Sequence, residues 1–305
     1  MTPVQDLVLV TAASGKQATA LLPHLVKQGK QLRLQCVSAK SKARLEAQYP
    51  QAEVMQTTFD SLEKATALLD GVNACYLVTP AFHPRETQMG INMVDAAVRL
   101  TRSGQDFRHM VHASVLHSSL RSLANHDNKR LVEEALIESG LPWTILQPTH
   151  VMDNVPVRAM VQQEDPVFPA RFDPEIKFSF LSCHDLGEAT ANIMADRDKH
   201  LYATYPLVST AAPLNYHEAM DIVSSVSGKP IRIERVPLET IVRGYINSTV
   251  SEDSPQEDVK VVGRGMARLM TYYDTQGLLG NSKVLEMILG RKPLSYREWV
   301  EMQLK

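Results

Sequence analysis

Short apolar runs alternate, through the first 150 residues, with longer stretches in which apolar positions recur every three or four residues. The runs Leu7–Val10, Leu32–Val37, Glu53–Thr57, Ala74–Val78, Met110–Ala113 and Trp143–Gln147 predict six strands. Ala18–Lys27, apolar at 18, 21, 22, 25 and 26, predicts the first helix. Lys42–Tyr49, Ser61–Leu69, Arg85–Leu100 and Asn128–Ser139 predict four more, with Asp60 or Ser61 capping the third helix and Gly140 ending the last. Strands separated by helices are joined by crossovers, so the pattern implies a parallel sheet covered by helices, an α/β fold.

After Pro148 the pattern loosens. A Pro-containing segment from Val155 to Pro174 precedes short strands at Phe178–Leu181 and around Tyr205–Val208, with a helix at Leu186–Asp196 between them. A helix over 215–228 ends at Gly228, and Pro230–Val236, where Ile231 and Ile233 alternate with Arg232 and Glu234, reads as extended. The chain is therefore expected to divide near residue 154: residues 1–154 form the α/β domain and 155–305 mainly a smaller α+β lobe, with about 178–210 returning to the sheet. Residues 248–258, rich in Ser, Glu and Asp, predict a loop that is mobile or closes only over a ligand. The Met- and aromatic-rich stretches Met266–Tyr273 and Val284–Leu289 predict lobe core, with room for part of them to line an apolar pocket.

Composition narrows the function classes. Of 305 residues, 44% are hydrophobic and 22% charged, which supports a large buried core and excludes disorder, collagen and coiled coil. Thirty-two Lys and Arg stand against 34 Asp and Glu, a net charge of −2, so neither nucleic acid nor an acidic membrane is expected as a partner. The longest apolar runs fall far short of the roughly 20 residues that span a bilayer. Met1–Asp6 offers no basic n-region of a signal peptide, and a cytosolic location is expected. Cys36, Cys75 and Cys183 are odd in number, widely spaced and without a CxxC, which predicts neither disulfides nor zinc. His109, His112 and His117 lie close in sequence without a carboxylate partner, so no metal site is expected.

The chemistry concentrates where strand one meets helix one. Thr11, Ala12, Ala13, Ser14, Gly15, Lys16 and Gln17 make a tight turn whose free N–H groups and positive helix end suit a pyrophosphate. Only one glycine of the dinucleotide fingerprint is present, and the turn read alone leaves a plain βα connection open. Val10–Ala18 resembles the VTGATGKQG loop of the NmrA-like branch of atypical short-chain dehydrogenases/reductases. Further stretches agree in the same order: Gly71–Pro80 resembles the family's GVDAVFLVTP, and His126–Lys129 with Glu133 its HFxSK…E. Ser139–His150 with Met152–Asn154 resembles its SGLPWTILRPTHFMDN.

The resemblance implies a Rossmann-type doubly wound parallel sheet that binds NADP(H) or NAD(H), with the smaller C-terminal lobe closing a substrate cleft. It places the dinucleotide on Thr11, Ala12, Ser14, Gly15, Lys16 and Gln17, and on Ser38, Lys40 and Lys42 after strand two. Thr79 and Pro80 after strand four, Pro148 and Thr149 after strand six, and Lys129 complete the expected set. Two departures stand out. Ala12 and Ala18 replace the first and third glycines of the loop, and a left-handed backbone at 12 would cost a non-glycine residue roughly 1–2 kcal/mol. Ser38 stands where many members carry an Arg for the adenosine 2′-phosphate; Lys40 and Lys42 nearby, with no acidic residue at 37–42, favour NADP(H) over NAD(H).

Short-chain dehydrogenases usually place a Tyr four residues before a Lys. Here Asn125 precedes Lys129, so the usual acid is missing. By resemblance Lys129 holds the nicotinamide ribose, the alternative being an exposed lysine paired with Glu133 one turn on. His126 is the candidate proton donor or substrate partner, and Ser114 the candidate oxyanion binder after strand five. His112, His117 and His150 read more readily as structural histidines. The expected function is an NADP(H)-dependent oxidoreductase acting on an apolar small molecule, in a setting such as secondary metabolism. An NADP(H)-binding redox-sensing regulator without turnover stays open, with a regulatory protein as its partner. A cofactor-bound enzyme for rearrangement or cyclisation and a homodimeric assembly also stay open.

Overall fold

The computed structural model describes residues 6–250 and 253–305; residues 1–5 and the middle of the polar 248–258 segment lie outside that range. β1 (Leu7–Val10) leads into α1 (Lys16–Lys27), and β2 (Gln31–Cys36), α2 (Ala39–Gln48), β3 (Glu53–Gln56), α3 (Leu62–Leu69) and β4 (Ala74–Val78) follow. α4 (Glu86–Arg102), β5 (His109–Ala113), α5 (Ala124–Glu138) and β6 (Trp143–Pro148) complete the first alternation. The chain then makes β7 (His150–Val151), α6 (Val157–Val161), β8 (Val167–Ala170), β9 (Phe180–Leu181), α7 (Cys183–Ala195), β10 (Ala203–Leu207) and α8 (Tyr216–Ser227). It ends with β11 (Arg232–Arg235), α9 (Leu238–Thr249), α10 (Gln256–Gln276), α11 (Lys283–Leu289) and α12 (Tyr296–Leu304).

Among the described residues, seven strands form one sheet in the order β10-β6-β5-β4-β1-β2-β3, and every pairing within it is parallel. Val8 sits opposite Leu32 on one side and Ala74 on the other. Sequential strands run outward from β1 in one direction and from β4 in the other, a Rossmann-type doubly wound sheet. The reversal between β1 and β4 leaves a crevice at the carboxyl ends of the strands, where such sheets take ligands. Residue 203 onward, after α7, adds β10 to the edge beside β6.

Both faces of the sheet are covered, which is why β1 and β4 at its centre are continuously apolar. Leu21, Leu22, Leu25, Leu186 and Leu285, from α1, α7 and α11, close one face. Leu68, Met93, Val132 and Leu136, from α3, α4 and α5, close the other. Each such leucine contributes about 1.5–3 kcal/mol by leaving water, and together they fix the axis of α1 and hence where its first turn points. Gly187 sharpens that placement: a Cβ there would lie 2.5 Å from the Ala20 carbonyl oxygen, so α7 lies directly against α1.

A third cluster builds the C-terminal lobe, and it is aromatic, with Phe168, Phe172, Phe178, Phe180, Tyr216, Tyr273, Tyr296 and Trp299. Several boundaries differ from the sequence pattern, α2 and α7 each starting three residues earlier than expected. α5 begins at Ala124 rather than Asn128, because its N-cap position is Leu123 and no side chain caps it. The polar 248–258 segment joins α9 to α10, and its last residues already belong to α10. All three cysteines are free and buried. Among the described residues, no helix is long and apolar enough to cross a membrane, and no group of three or more His, Cys, Asp and Glu side chains is placed to hold a metal ion.

Candidate functional site

Gln35 shapes the turn after β1. Its side-chain Oε1 accepts from Ala12 N at 2.9 Å, and its backbone oxygen accepts from Ala13 N at 2.9 Å. Held this way, Ala12 adopts φ 48°, a left-handed conformation that strains a side chain bearing a Cβ by roughly 1–2 kcal/mol. Gly15 N donates to Ala12 O at 2.8 Å, and a Cβ on Gly15 would come to 3.1 Å from that oxygen, so a larger residue would crowd the turn. Gly15 also caps α1 without a side chain. The amides of Lys16, Gln17 and Ala18 therefore have no intrahelical acceptor and sit at the positive end of the helix. That donor set fits a diphosphate.

Beside the turn, between the strand ends and the aromatic lobe, lies a cavity of about 380 Å3. Phe82, Phe168, Phe172, Tyr216, Tyr245 and Tyr273 give it aromatic walls. Its polar lining includes Gln17, Ser114, Asn125, Lys129, Thr149, His150, Asn154 and Arg171. Asn125 and Lys129 are one turn apart on α5 and so share a face of the helix. Lys129 Nζ donates to Thr79 Oγ1 at 2.9 Å and pairs with Glu86 Oε1 at 3.0 Å. Glu86, wholly buried at the start of α4, also accepts from Thr79 Oγ1 at 2.9 Å and from Phe82 N at 3.1 Å. One carboxylate thus balances the ammonium and ties down the loop after β4. Ser114 Oγ and Asn125 Oδ1 are buried without a partner. Of the buried polar atoms without a partner among the described residues, these two are the ones on residues that line the cavity, where a polar ligand group could meet them.

The model of the NmrA-like family matches residues 4–263. The chain belongs to the NmrA-like family. It is 25% identical over 178 residues to the NAD(P)H azoreductase of Xenophilus azovorans, an alignment that spans 57% of this chain and 58% of that protein. Among solved structures it resembles the Citrobacter sp. triphenylmethane reductase complexed with NADP(H), with a TM-score of 0.72 and 19% identity over 98% of this chain and 100% of that one. The NADPH-dependent quinone oxidoreductase of Escherichia coli complexed with NADPH gives 0.71 and 18% over 98% and 100%. NmrA itself, a negative transcriptional regulator in complex with NAD, gives 0.72 and 17% over 97% and 94%. At these identities the structures establish a shared fold.

Against the NmrA-like pattern, the expected dinucleotide residues divide into groups that face the crevice and groups that build it. Thr11 builds it: its buried hydroxyl donates to Val78 O at 2.9 Å and accepts from Val78 N at 2.7 Å, locking β1 to β4. Lys16 reaches across the crevice and donates to Asp153 O and Asn154 Oδ1, both at 2.9 Å. Gln17 accepts from the Tyr76 hydroxyl at 3.0 Å. Ser38 caps α2, accepting from Ser41 N at 3.2 Å. Lys42 is committed to Glu46, whereas Lys40 makes no bond among the described residues. Ser14 O accepts from Arg44 at 2.9 Å, so a guanidinium that the sequence pattern did not flag stands at the rim of the turn. Pro80 O accepts from His83 N at 3.1 Å, and Pro148 and Thr149 line the cavity.

The alternative pairing of Lys129 falls away, and one catalytic candidate sits off the cavity. Lys129 pairs with Glu86, not with Glu133, which instead accepts from Ser118 Oγ at 2.8 Å and Gln147 Nε2 at 2.9 Å. His126 is wholly buried behind the cavity wall rather than on it. Its Nδ1 lies 2.9 Å from His117 O and its Nε2 2.8 Å from the Tyr273 hydroxyl. Burial pushes its pKa down to about 4, so the ring is neutral at pH 7. Since a carbonyl can only accept, Nδ1 carries the hydrogen, and Nε2 accepts from Tyr273. Tyr273, on α10, is the group that meets the cavity.

The remaining histidines are similarly bound. His112 is buried in β5, 3.4 Å from Leu77 O, with burial lowering its pKa to about 3. His150 borders the cavity with Nε2 3.0 Å from the Tyr216 hydroxyl and, again through burial, a pKa of about 4. His117 is exposed and bonds Leu279 O at 2.7 Å.

Proposed function

We propose that this NmrA-like protein is an NADP(H)-dependent oxidoreductase that reduces an apolar, aromatic small molecule of the polyketide or quinone type. One observation carries the reading: an aromatic-walled cavity, holding the unpartnered Ser114 and Asn125 groups and the fixed charge of Lys129, opens beside a diphosphate-type turn. Its likenesses to azo-, quinone and dye reductases, two of them crystallised with NADPH or NADP(H), support it.

The amides of Lys16, Gln17 and Ala18 would hold the diphosphate, and Lys40, Arg44 and the N-terminus of α2 the 2′-phosphate. Lys129, Thr79 and the segment Pro148–Thr149 would border the nicotinamide ribose. When bound, NADPH supplies a hydride to the acceptor. The chain's own groups then act on the charge that results. Ser114 Oγ–H would donate to the acceptor oxygen as it becomes negative, Asn125 Oδ1 would accept from a hydroxyl or N–H of the ligand, and Lys129 would add a positive charge whose position Glu86 and Thr79 fix. The aromatic walls stack on the acceptor ring and keep water away. Neutral His126 commits its one N–H to His117 O and lies behind Tyr273, so it does not serve as the proton donor, and the reduced anion would take its proton from solvent on leaving the cavity.

A second reading has specific support: strained Ala12 and the absence of Tyr at 125 both suit a protein that binds the dinucleotide as a redox signal without turnover. Incubating the purified protein with NADPH and a panel of quinones and azo dyes separates the two. Saturable NADPH oxidation supports the reductase, binding without oxidation supports the sensor, and failure to bind NADPH or NADH overturns both.

A further inference from the structure

We propose that the acceptor taken by this cavity is an anionic aromatic, a planar ring system carrying a carboxylate or sulfonate that Arg171 holds. The inference rests on the reductase reading for the word acceptor, but on the cavity alone for the ligand's chemistry.

Arg171 follows β8 directly and lines the cavity. Its guanidinium carbon lies 5.9 Å from the centroid of the Tyr245 ring, which is itself a cavity wall. Among the described residues it makes no ion pair or hydrogen bond. Its neighbours in the lobe behave differently: Arg232 pairs with Asp165 and Glu234, and Arg235 with Asp274. Among the described residues, no Asp or Glu lines the cavity, and the other lining cation, Lys129, is already balanced by Glu86. Arg171 is therefore, among the described residues, an uncompensated charge at a space walled largely by aromatic rings.

Its field reaches the wall. Burial first, and then the Arg171 charge, hold His150 to a pKa of about 4, and the same charge opposes the upward push of burial on Tyr216. A cationic ring would meet that field with repulsion. A carboxylate or sulfonate would receive two parallel N–H bonds from the planar guanidinium. Its ring would extend the stack that Arg171 and Tyr245 begin, between Phe82 and Phe172. Arg171 then selects the ligand, while Ser114, Asn125 and Lys129 handle its reducible end.

The test uses probes that cannot be reduced: 2-naphthol, 6-hydroxynaphthalene-2-sulfonate and a naphthyl trimethylammonium salt, titrated calorimetrically onto the full chain. Arg171 is exposed, so Arg171→Met and Arg171→Lys should fold, which equal thermal midpoints would check. For the wild type we expect the sulfonate to bind at least about tenfold more tightly than 2-naphthol, and the ammonium salt more weakly than either. In Arg171→Met the sulfonate preference should fall to about one with naphthol changed less than about twofold, and Arg171→Lys should keep an intermediate preference. No preference in the wild type, an unchanged preference in Arg171→Met, or no binding of either compound overturns the inference. NADPH oxidation by naphthoquinone and its sulfonate is followed separately. Preserved sulfonate preference without any oxidation overturns the reductase reading and leaves anion recognition standing; oxidation without preference overturns anion recognition alone.

Discussion

The Tyr273 hydroxyl donates to His126 Nε2 at 2.8 Å, joining α10 to α5 across 147 residues of chain, with the two rings edge to face. Because the imidazole is neutral and spends its one N–H on His117 O, the Tyr273 proton points away from the cavity and its oxygen offers lone pairs there. A ligand at this corner would therefore be met as a donor, through its own hydroxyl or N–H.

Replacing Tyr273 by Phe should leave a buried, unpaired nitrogen and lower stability by about 1–3 kcal/mol in denaturant unfolding. It should also weaken binding of hydroxylated aromatics while leaving their unhydroxylated parents unchanged. Equal losses for both kinds of ligand would show that Tyr273 acts only through packing.

Glu86 and Lys129 should behave as a unit. Glu86→Gln leaves an ammonium without its balancing charge and should destabilise the fold by about 3–5 kcal/mol, whereas Glu86→Gln with Lys129→Met should recover most of that loss. Lys129→Met alone should lower kcat/KM about a hundredfold. Additive stability effects in this cycle would contradict the coupling.

Ala12→Gly removes the left-handed strain but adds the backbone freedom of glycine to the unfolded chain. The net gain should be at most about 1 kcal/mol, read as a rise of about 2 °C in the thermal midpoint. Dinucleotide affinity should rise or hold; a fall would mean that the methyl group itself contacts the ligand.

Stability should depend on pH through four buried imidazoles. Burial lowers His109, His126 and His150 to about 4 and His112 to about 3, all from 6.5. Between pH 6.5 and about 4 the unfolded chain binds more protons than the folded one, so stability falls as pH drops through that window. Each imidazole contributes up to about 1.4 kcal/mol per pH unit. These groups impose no slope above pH 7. Urea titrations at pH 7, 6 and 5 check this, and a flat profile would contradict neutral buried rings.

Much of the sheet was legible because a parallel strand buried on both faces must be apolar throughout, as Leu7–Val10 and Ala74–Val78 are. The start of α5 was not, since Ala124, Asn125, His126 and Asp127 follow an uncapped Leu123 and look polar and irregular. The strain at Ala12 was foreseeable from the missing glycine, and the structure places φ there at 48°. Glu86 was hidden for a different reason. An acidic residue in a first helical turn is ordinary by dipole logic, and nothing local says that it will meet Lys129. Tyr273 and Arg171 depend on how the C-terminal lobe folds back over the strand ends, which no periodicity encodes.

Lys16 leaves the diphosphate turn to grip Asp153 O and Asn154 Oδ1, and Asn154 borders the aromatic cavity. The two halves of the crevice are thus roped together by one flexible ammonium. Phosphate oxygens at the turn would compete for that rope, and Asp153 would then still be held by Cys183 N, 2.9 Å from its Oδ2. A protein that turns over both ligands through this crevice would then take the dinucleotide before the acceptor, and Lys16→Met would relax that order.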